Sequence, residues 1–454
     1  MASILESYFT GLRGKRIAVL GLGVSNRPLV RLLLRYGCTV TGCDKTAREK
    51  LDAEVLELEK LGCKLQTGED YLQNLNADLV FRTPGMHPSN PALEAVRLSG
   101  GDVTSEMDVF FALCPCKILA VTGSDGKTTT STLIAEILKR AGKTVWLGGN
   151  IGTPLLSRID EIQPSHMAVV ELSSFQLMDM THSPHVAVMT NLSPNHLDVH
   201  KDMDEYVQAK TNIFCFQTPE DVLIVNGDDP ITSAFRSVGK TFAFSRKGEN
   251  GRVVLDGNWI RRDGEPVLDT REILIPGVHN VENYMAAIAA VIGLAEDDTI
   301  RSVAREFGGV EHRIELVRIK DGVRFYNDSI ASSPSRTVAG LQSFSEQVLL
   351  IAGGYDKGIS YDDLGPVICE HVKKLYLNGA TADQICRAVK NAPAYAPGKP
   401  EIICCENLDA AISRSVADAK PGDVVLLSPA SAAFDQFQNF AVRGAYFKKR
   451  IKEL

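Results

Sequence analysis

Lys127 and Thr128 close the loop Thr122-Gly-Ser-Asp-Gly-Lys-Thr128, and residue types in that spacing hold phosphate. The apolar run Ile118-Leu-Ala-Val121 leads into the loop, and Leu133, Ile134, Ile137 and Leu138 recur behind it with helical spacing. A strand that empties through glycines into a helix turns backbone N–H groups and the positive helix end toward an anion. Lys127 then reaches the terminal phosphates of a nucleotide, and the Thr128 hydroxyl is placed for the accompanying Mg2+. The loop lacks the first glycine of the usual G-x-x-x-x-G-K-[ST] pattern. The flanking strand and helix therefore separate this reading from that of an ordinary strand-to-helix turn.

Further groups that could do chemistry follow strands nearby. Glu171 ends the apolar run Met167-Ala-Val-Val-Glu171 and precedes Leu-Ser-Ser-Phe-Gln176. A carboxylate at a strand's C-terminal end, in the same sheet as a phosphate loop, can hold Mg2+; the alternative is a solvated strand-end glutamate. Asn191-Leu-Ser-Pro-Asn-His196-Leu-Asp198-Val-His200 also follows a strand and offers imidazole and carboxylate to a second metal or a substrate. Lys210 reads from the residues alone as a helical lysine with its stem packed and its amine in solvent. In Pro276-Gly-Val-His-Asn280-Val-Glu-Asn283, two asparagines three apart share one face of a helix start, where an amide either recognises a base edge or caps the helix.

These groups need a scaffold, and composition bounds it. A chain of 454 residues exceeds one core and suggests three domains. A formal net charge of −7 leaves no basic footprint, which argues against nucleic acid and for a small-molecule substrate. The N-terminal residues carry no leader-like apolar core, and no apolar run approaches the ~20 residues needed to span a bilayer, so the expected location is the cytoplasm. The ten cysteines, Cys114-Pro-Cys116 included, lack metal-ligand spacing and read as reduced, with neither disulfide nor zinc. His166, His182 and His185 sit among loop residues and read as structural.

Three α/β blocks follow from strands alternating with helical patterns. The first holds strands at Arg16–Gly21, Thr39–Asp44 and Asp78–Thr83, with the turn Gly21-Leu-Gly-Val-Ser-Asn26 after the first of them. That turn falls short of the dinucleotide fingerprint because Arg27 stands where glycine or alanine is needed. Asp44 ends the second strand, where an acidic residue meets a nucleotide's sugar or base edge. The second block adds strands at 144–149, 167–172, 186–191 and 222–226, and the third adds 323–329, 347–354, 374–378 and 423–428. The expected boundaries fall near 108 and 313, giving domains 1–108, 109–313 and 314–454.

Taken together these stretches resemble the Mur ligases, ATP-dependent amino-acid ligases of peptidoglycan precursor synthesis. The likeness runs the length of the chain, through Gly148-Gly-Asn150-Ile-Gly152, Glu171-Leu-Ser-Ser, Asn195-His196-Leu-Asp-x-His200, His279-Asn280-x-x-Asn283, His312-Arg313 and Tyr326-Asn-Asp328-Ser329. The tail Ser428-Pro-Ala-Ser-Ala-Ala-Phe434-Asp-Gln-Phe437-x-Asn-Phe440-x-x-Arg443-Gly444 resembles the D-glutamate-adding branch of the family.

The resemblance implies an α/β chain of three domains: a Rossmann-like UDP-binding domain, a central P-loop ATPase-like domain with a parallel sheet, and a C-terminal Rossmann-like domain. Gly23, Val24, Ser25, Asp44, Thr83, Pro84, Gly85 and Asn150 would hold UDP-N-acetylmuramoyl-L-alanine. Gly123, Ser124, Asp125, Gly126, Lys127, Thr128, Thr129, Asn280, Asn283, Arg313 and Asp328 would bind ATP. Thr128, Glu171, His196 and a carbamylated Lys210 would ligate two Mg2+ ions, and Ser332, Lys357, Phe434 and Phe440 would receive D-glutamate. Lys127, His196, Lys210 and Arg313 are the expected catalytic set, and a monomer without nucleic-acid or membrane partners is expected. Three residues depart from the family pattern: Asp125 in the phosphate loop, Ile330 where many relatives have lysine, and Ala433 in place of a serine that would bond D-glutamate. Other readings explain less. A dehydrogenase accounts for the first turn but not the phosphate loop, and a nucleotide-binding switch leaves Glu171, His196 and Lys210 without roles. A sibling ligase or a folylpolyglutamate synthase using another amino acid is the nearest alternative.

Overall fold

Short apolar strands alternating with amphipathic helices assemble three sheets in the computed structural model, which describes residues 4–196, 199–248 and 251–454. The first sheet contains β1 (Arg16–Leu20), β2 (Thr39–Asp44), β3 (Lys64–Thr67), β4 (Leu79–Phe81) and β5 (Asp102–Thr104), in the order β3-β2-β1-β4-β5. All its pairings are parallel. The expected strand at 78–83 is shorter than read and is fourth in sequence, because the third, β3, is a half-exposed edge strand without apolar alternation.

The second sheet contains β6 (Lys117–Thr122), β7 (Val145–Gly149), β8 (Met167–Glu171), β9 (Val186–Met189), β10 (Val222–Asn226), β11 (Lys240–Ser245), β12 (Val253–Asp256), β13 (Trp259–Arg262) and β14 (Glu265–Asp269). Their order is β14-β13-β12-β11-β10-β9-β6-β8-β7. The expected parallel sheet runs from β7 to β12, and an antiparallel meander, β12-β13-β14, extends it. The helix Lys127–Arg140 covers this sheet with Leu133, Ile134, Ile137 and Leu138, all fully buried.

The third sheet contains β15 (Glu315–Lys320), β16 (Val323–Asn327), β17 (Val348–Ala352), β18 (Val372–Leu377), β19 (Glu401–Cys404) and β20 (Val424–Leu427), in the order β15-β16-β20-β17-β18-β19. Only β15, at one edge, is antiparallel to its neighbour.

The chain divides into two compact units, Met1–Thr270 with Glu282–Val303, and Arg271–Val281 with Ala304–Leu454. Within the first, one apolar cluster runs from Val19, Leu33 and Phe81 to Ile118, Leu156 and Leu177, so the first and second sheets share a core. The cysteines are free thiols, with the sulfurs of Cys114 and Cys116 3.5 Å apart. Among the described residues no helix is long and apolar enough to cross a membrane.

Candidate active site

In the second sheet β6 lies between β9 and β8, so connections leave its C-terminal end in opposite directions. That topological switch point opens a crevice where α/β sheets receive ligands. The phosphate loop, Glu171 and the segment after β9 all emerge there. Gly123, at φ 148°, crosses so close to the β9 exit that a Cβ would sit 1.9 Å from the Thr190 hydroxyl. Gly126 takes φ 79° at the helix start, and a Cβ there would meet the Asn283 amide oxygen at 2.4 Å. Asn283 is buried behind the loop and accepts a bond from Thr130 Oγ1 at 3.2 Å. Lys127 Nζ arches over its own loop to the carbonyls of Gly123 (3.0 Å) and Ser124 (2.8 Å).

The backbone of Asp125 is pinned by Thr190 Oγ1 and the Asn191 amide, while the residue itself is exposed. The loop's geometry therefore rests on Asp125's main chain rather than on its carboxylate.

Glu171 is buried at the end of β8. Its Oε1 accepts from Asn150 Nδ2 at 2.7 Å, and its Oε2 is buried without a hydrogen-bond partner. A buried, unpaired carboxylate oxygen is costly unless a cation or donor meets it. Its chemistry, a hard oxygen beside a phosphate loop, fits Mg2+, which keeps waters and phosphate oxygens rather than demanding an all-protein cage. Among the described residues no group of three His, Cys, Asp or Glu side chains could hold a metal ion.

The structure corrects the reading of Lys210 as a surface cation. The helix Met203–Cys215, capped by Asp202 on Glu205 N–H, carries Lys210 inward until it is almost wholly buried. Its Nζ donates to Gly123 O (2.8 Å) and Thr122 Oγ1 (3.1 Å) and lies 4.9 Å from the Tyr206 ring centroid. Burial, reinforced by the charge of Lys127, holds its ammonium well below the usual lysine range, against the opposing pull of Glu171 and Asp125.

Phe175, on the short helix Ser174–Leu177, packs against His196 at 5.0 Å and stacks on His200 at 5.4 Å. His196 is exposed and left-handed, φ 56°, an uncommon conformation for a non-glycine residue. His200 is buried with Nε2 2.9 Å from Ser174 Oγ, and burial lowers its pKa despite nearby Glu205. Asp198 of the same motif lies outside the described residues. His166, His182 and His185 bond to Trp146, Asp108 and Ile118 N–H respectively, away from these groups.

The first sheet has its own switch point at β1, between β2 and β4. Asn26 is buried and ties the turn down through the carbonyls of Leu20 and Gly21, leaving Gly23, Val24 and Ser25 exposed. Asp44 braces the turn by accepting from Leu22 N–H (2.8 Å). Burial raises its pKa, but backbone donors at Thr46 and Leu22 outweigh it and the net shift is downward. Arg27 commits its guanidinium to Leu22 O, Asp52 and Glu54, which is why no small residue is needed where a dinucleotide fold has one. Thr83, Pro84 and Gly85 leave β4 beside this turn, with Thr83 packed against Gly21.

The second unit carries the remaining groups. Asp328, at the end of β16, is buried and accepts from Ser428 Oγ (2.8 Å) and Ile314 N–H (3.3 Å). Burial pushes its pKa up to about 7, against those bonds and the charge of Arg313, which is exposed. Asn280 donates to Pro276 O at 2.5 Å, folding the turn before the helix Val278–Ala290. Ser332 is half-buried and Lys357 exposed, and Phe434 projects beside the Tyr355 ring at 5.8 Å. Phe440 lies 6.1 Å from the His312 ring. Ala433 is buried and works through its carbonyl, which accepts from Gln436 and Phe437. Ile330 is likewise held by main chain, its N–H on His312 O.

Sequence reasoning assigned no role to two buried arginines. Arg443 has Nε on Ser329 Oγ and its other nitrogens on the carbonyls of Ser329, Ser431 and Ala432. Arg82 occupies a comparable place in the first unit. Arg443 falls within the tail that resembles the D-glutamate-adding branch but carried no role of its own, and for Arg82 the available signal was a charged residue directly after the apolar run Leu79-Val-Phe81.

The chain resembles known proteins over its whole length. The Mur ligase middle domain family matches residues 121–291, and the Mur ligase, glutamate ligase domain family matches 312–431. A UDP-N-acetylmuramoylalanine–D-glutamate ligase of Acetivibrio thermocellus is 51% identical, and one of Ruminiclostridium cellulolyticum 48%, each covering 100% of both chains. The fold matches a solved UDP-N-acetylmuramate-alanine ligase of Thermotoga maritima with a TM-score of 0.58 at 19% identity, covering 97% of this chain and 99% of that one. A solved UDP-N-acetylmuramoyl-L-alanyl-D-glutamate–2,6-diaminopimelate ligase gives 0.59 at 20% identity, covering 83% and 93%. With a glycine loop at one switch point, a second glycine turn at another, and full-length likeness at this level, the chain belongs to the Mur ligases, in the family of UDP-N-acetylmuramoylalanine–D-glutamate ligases.

Proposed function

We propose that the chain joins D-glutamate to UDP-N-acetylmuramoyl-L-alanine at the expense of ATP, releasing ADP and phosphate, in peptidoglycan precursor synthesis. The full-length likeness to D-glutamate ligases, at 51% and 48% identity, carries this reading.

The chemistry follows from the groups present. A carboxylate is a poor acyl donor, so the alanyl carboxylate attacks the γ-phosphorus of ATP, the bond to ADP breaks, and an acyl phosphate forms. The D-glutamate amine then attacks the acyl carbon, loses a proton and expels phosphate. Lys127, the loop N–H groups and Arg313 stabilise charge on the transferring phosphoryl group. The division of labour follows residues 1–108, 109–313 and 314–454, with Asn150 and Asp328 as the two that cross it. The turn at Gly23–Ser25, Asp44, Thr83–Gly85 and Asn150 serve the UDP substrate, and Asn280, Asn283 and Asp328 serve ATP. Ser332, Lys357, Phe434 and Phe440 serve D-glutamate.

Thr128 and Glu171 would hold one Mg2+, and His196 with Lys210 a second. Bound there, Mg2+ neutralises phosphate charge. Lys210 supports the second site only as a carbamate: burial favours its neutral amine, which adds CO2 and loses a proton to become an anion. Capture of the reactive intermediate also requires exclusion of water, in the cytoplasm where its substrates are made.

The test is phosphate release by the purified chain with ATP, Mg2+, UDP-N-acetylmuramoyl-L-alanine and each candidate amino acid in turn. D-glutamate should be required. Equal release with another amino acid, or with D-glutamate lacking the UDP substrate, would overturn the proposal.

A further inference from the structure

Arg82 is the largest of the fully buried side chains and stands one residue before Thr83-Pro84-Gly85. Its guanidinium spans two ligand segments of the first unit. On one side Nη1 donates to the carbonyls of Met86 (2.5 Å), Thr83 (3.2 Å) and Pro84 (3.3 Å), gathering the whole loop after β4 around one nitrogen. On the other, Nε donates to Asp179 Oδ2 (2.8 Å) and Nη2 to Asp179 Oδ1 and Phe175 O (3.1 Å). Every guanidinium nitrogen is engaged.

The second segment is not a passive wall. Phe175 and Asp179 lie on and just after the short helix that follows Glu171 by two residues, fixed at its start by Ser173 and Gln176 in a reciprocal cap. The ring of Phe175 packs on His196 and His200, and Ser174 bonds His200. Arg82 thus stands between the loop of the first sheet and the segment that packs against His196 and His200.

A buried ion pair of this kind contributes little net stability over an apolar replacement of similar volume. Its fork geometry, however, fixes distance and angle in a way that lysine cannot reproduce.

We propose that the Arg82–Asp179 pair is a positioning device that sets the acceptor-substrate loop, Thr83–Met86, in register with the phosphoryl-transfer side of the site. The inference rests on the assignment of Thr83–Gly85 to the UDP substrate. The carbonyls of Thr83, Pro84 and Met86 are turned inward onto Arg82, and Met86 N–H is spent on Thr83 O, which leaves Gly85 N–H and Thr83 to meet ligand. Loss of the fork lets the loop relax and misplaces the alanyl carboxylate relative to the γ-phosphate. A misplacement on the order of 1 Å can cost about 100-fold in rate.

The experiment compares wild type, R82K, D179N and the double variant R82M/D179M in steady-state ligation, with KM determined separately for the UDP substrate, ATP and D-glutamate, and Tm alongside. The wild type must first ligate; if it does not, the functional assignment fails and not the positioning role. Given an active wild type, R82K and D179N should raise KM for the UDP substrate by about ten-fold or more and lower kcat, with KM for ATP and D-glutamate within about two-fold of wild type. R82M/D179M should recover wild-type Tm without recovering KM for the UDP substrate. Unchanged KM for the UDP substrate in R82K and D179N, equal changes in all three KM values, or kinetic recovery in parallel with Tm in the double variant would each overturn the inference and leave the pair as scaffold alone.

Discussion

Replacing Lys210 by alanine separates what the residue does for the fold from what it does for turnover. The substitution removes three buried methylenes, worth about 0.8 kcal/mol each, or about 2.4 kcal/mol in transfer terms. It also removes donors to Gly123 O and Thr122 Oγ1, but neither is orphaned: Gly123 O still accepts from Lys127, and the Thr122 hydroxyl still donates to Leu172 O at 2.8 Å. The desolvation cost of the buried polar head group disappears with it, an offset of about 1–3 kcal/mol. The net destabilisation should therefore stay within about 2 kcal/mol, and the variant should fold. Turnover should fall by about 1,000-fold or more, because the anion facing the phosphate loop is gone. The assay is phosphate release at saturating substrates, repeated with added acetate or propionate, which can occupy the vacated channel as a carboxylate. Partial restoration is expected with the acids. Full activity without them, or a folded variant that no short acid restores, would refute the carbamate argument.

Two further predictions follow from individual groups. Lys127→Ala should abolish phosphate release while leaving the urea midpoint nearly unchanged, since the side chain's bonds to Gly123 O and Ser124 O contribute about 1 kcal/mol; measurable turnover in a folded variant contradicts its role. Glu106 is buried with Oε1 on Leu156 N–H, and burial lifts its pKa from 4.5 to about 7. The folded state then binds the proton more tightly than the unfolded one, so this group's contribution falls as pH rises from about 4.5 to about 7, by about 3 kcal/mol in total. Glu106→Gln, which keeps the acceptor, should flatten that part of the stability profile in urea titrations across the same pH range, and an unchanged slope would refute the assignment.

How much was legible in the sequence depended on which physical signal each feature carried. The buried parallel strands read directly as apolar runs, and the phosphate loop, Glu171 and the turn at Gly21 lie at strand ends as read. The antiparallel edges were missed although their signal was present. Asp263-Gly264 and Asp321-Gly322 adopt positive φ at both residues, as two-residue hairpin turns do, and Asp-Gly pairs mark them in the sequence. β3 and β19 are short edge strands with mixed exposure, which leaves no period to detect. Lys210 illustrates the limit most clearly. Its neighbours have the apolar spacing of any packed helix, and only the approach of β6 from 88 residues away makes its amine a buried one. Arg443 acts through Ser329 and the carbonyls of Ser431 and Ala432, and Arg82 ties its own following loop to Asp179 and Phe175, 97 and 93 residues on, pairings with no signature in local spacing.

The account turns on a carboxylate being activated by ATP before the amine arrives, and isotope transfer tests that step most directly. UDP-N-acetylmuramoyl-L-alanine carrying oxygen-18 in the alanyl carboxylate should be turned over with unlabelled ATP and D-glutamate, and the released phosphate examined by mass. An acyl phosphate leaves one labelled oxygen in each phosphate released. Unlabelled phosphate accompanying ligated product would contradict the mechanism, because the carboxylate oxygen would then never have been joined to phosphorus.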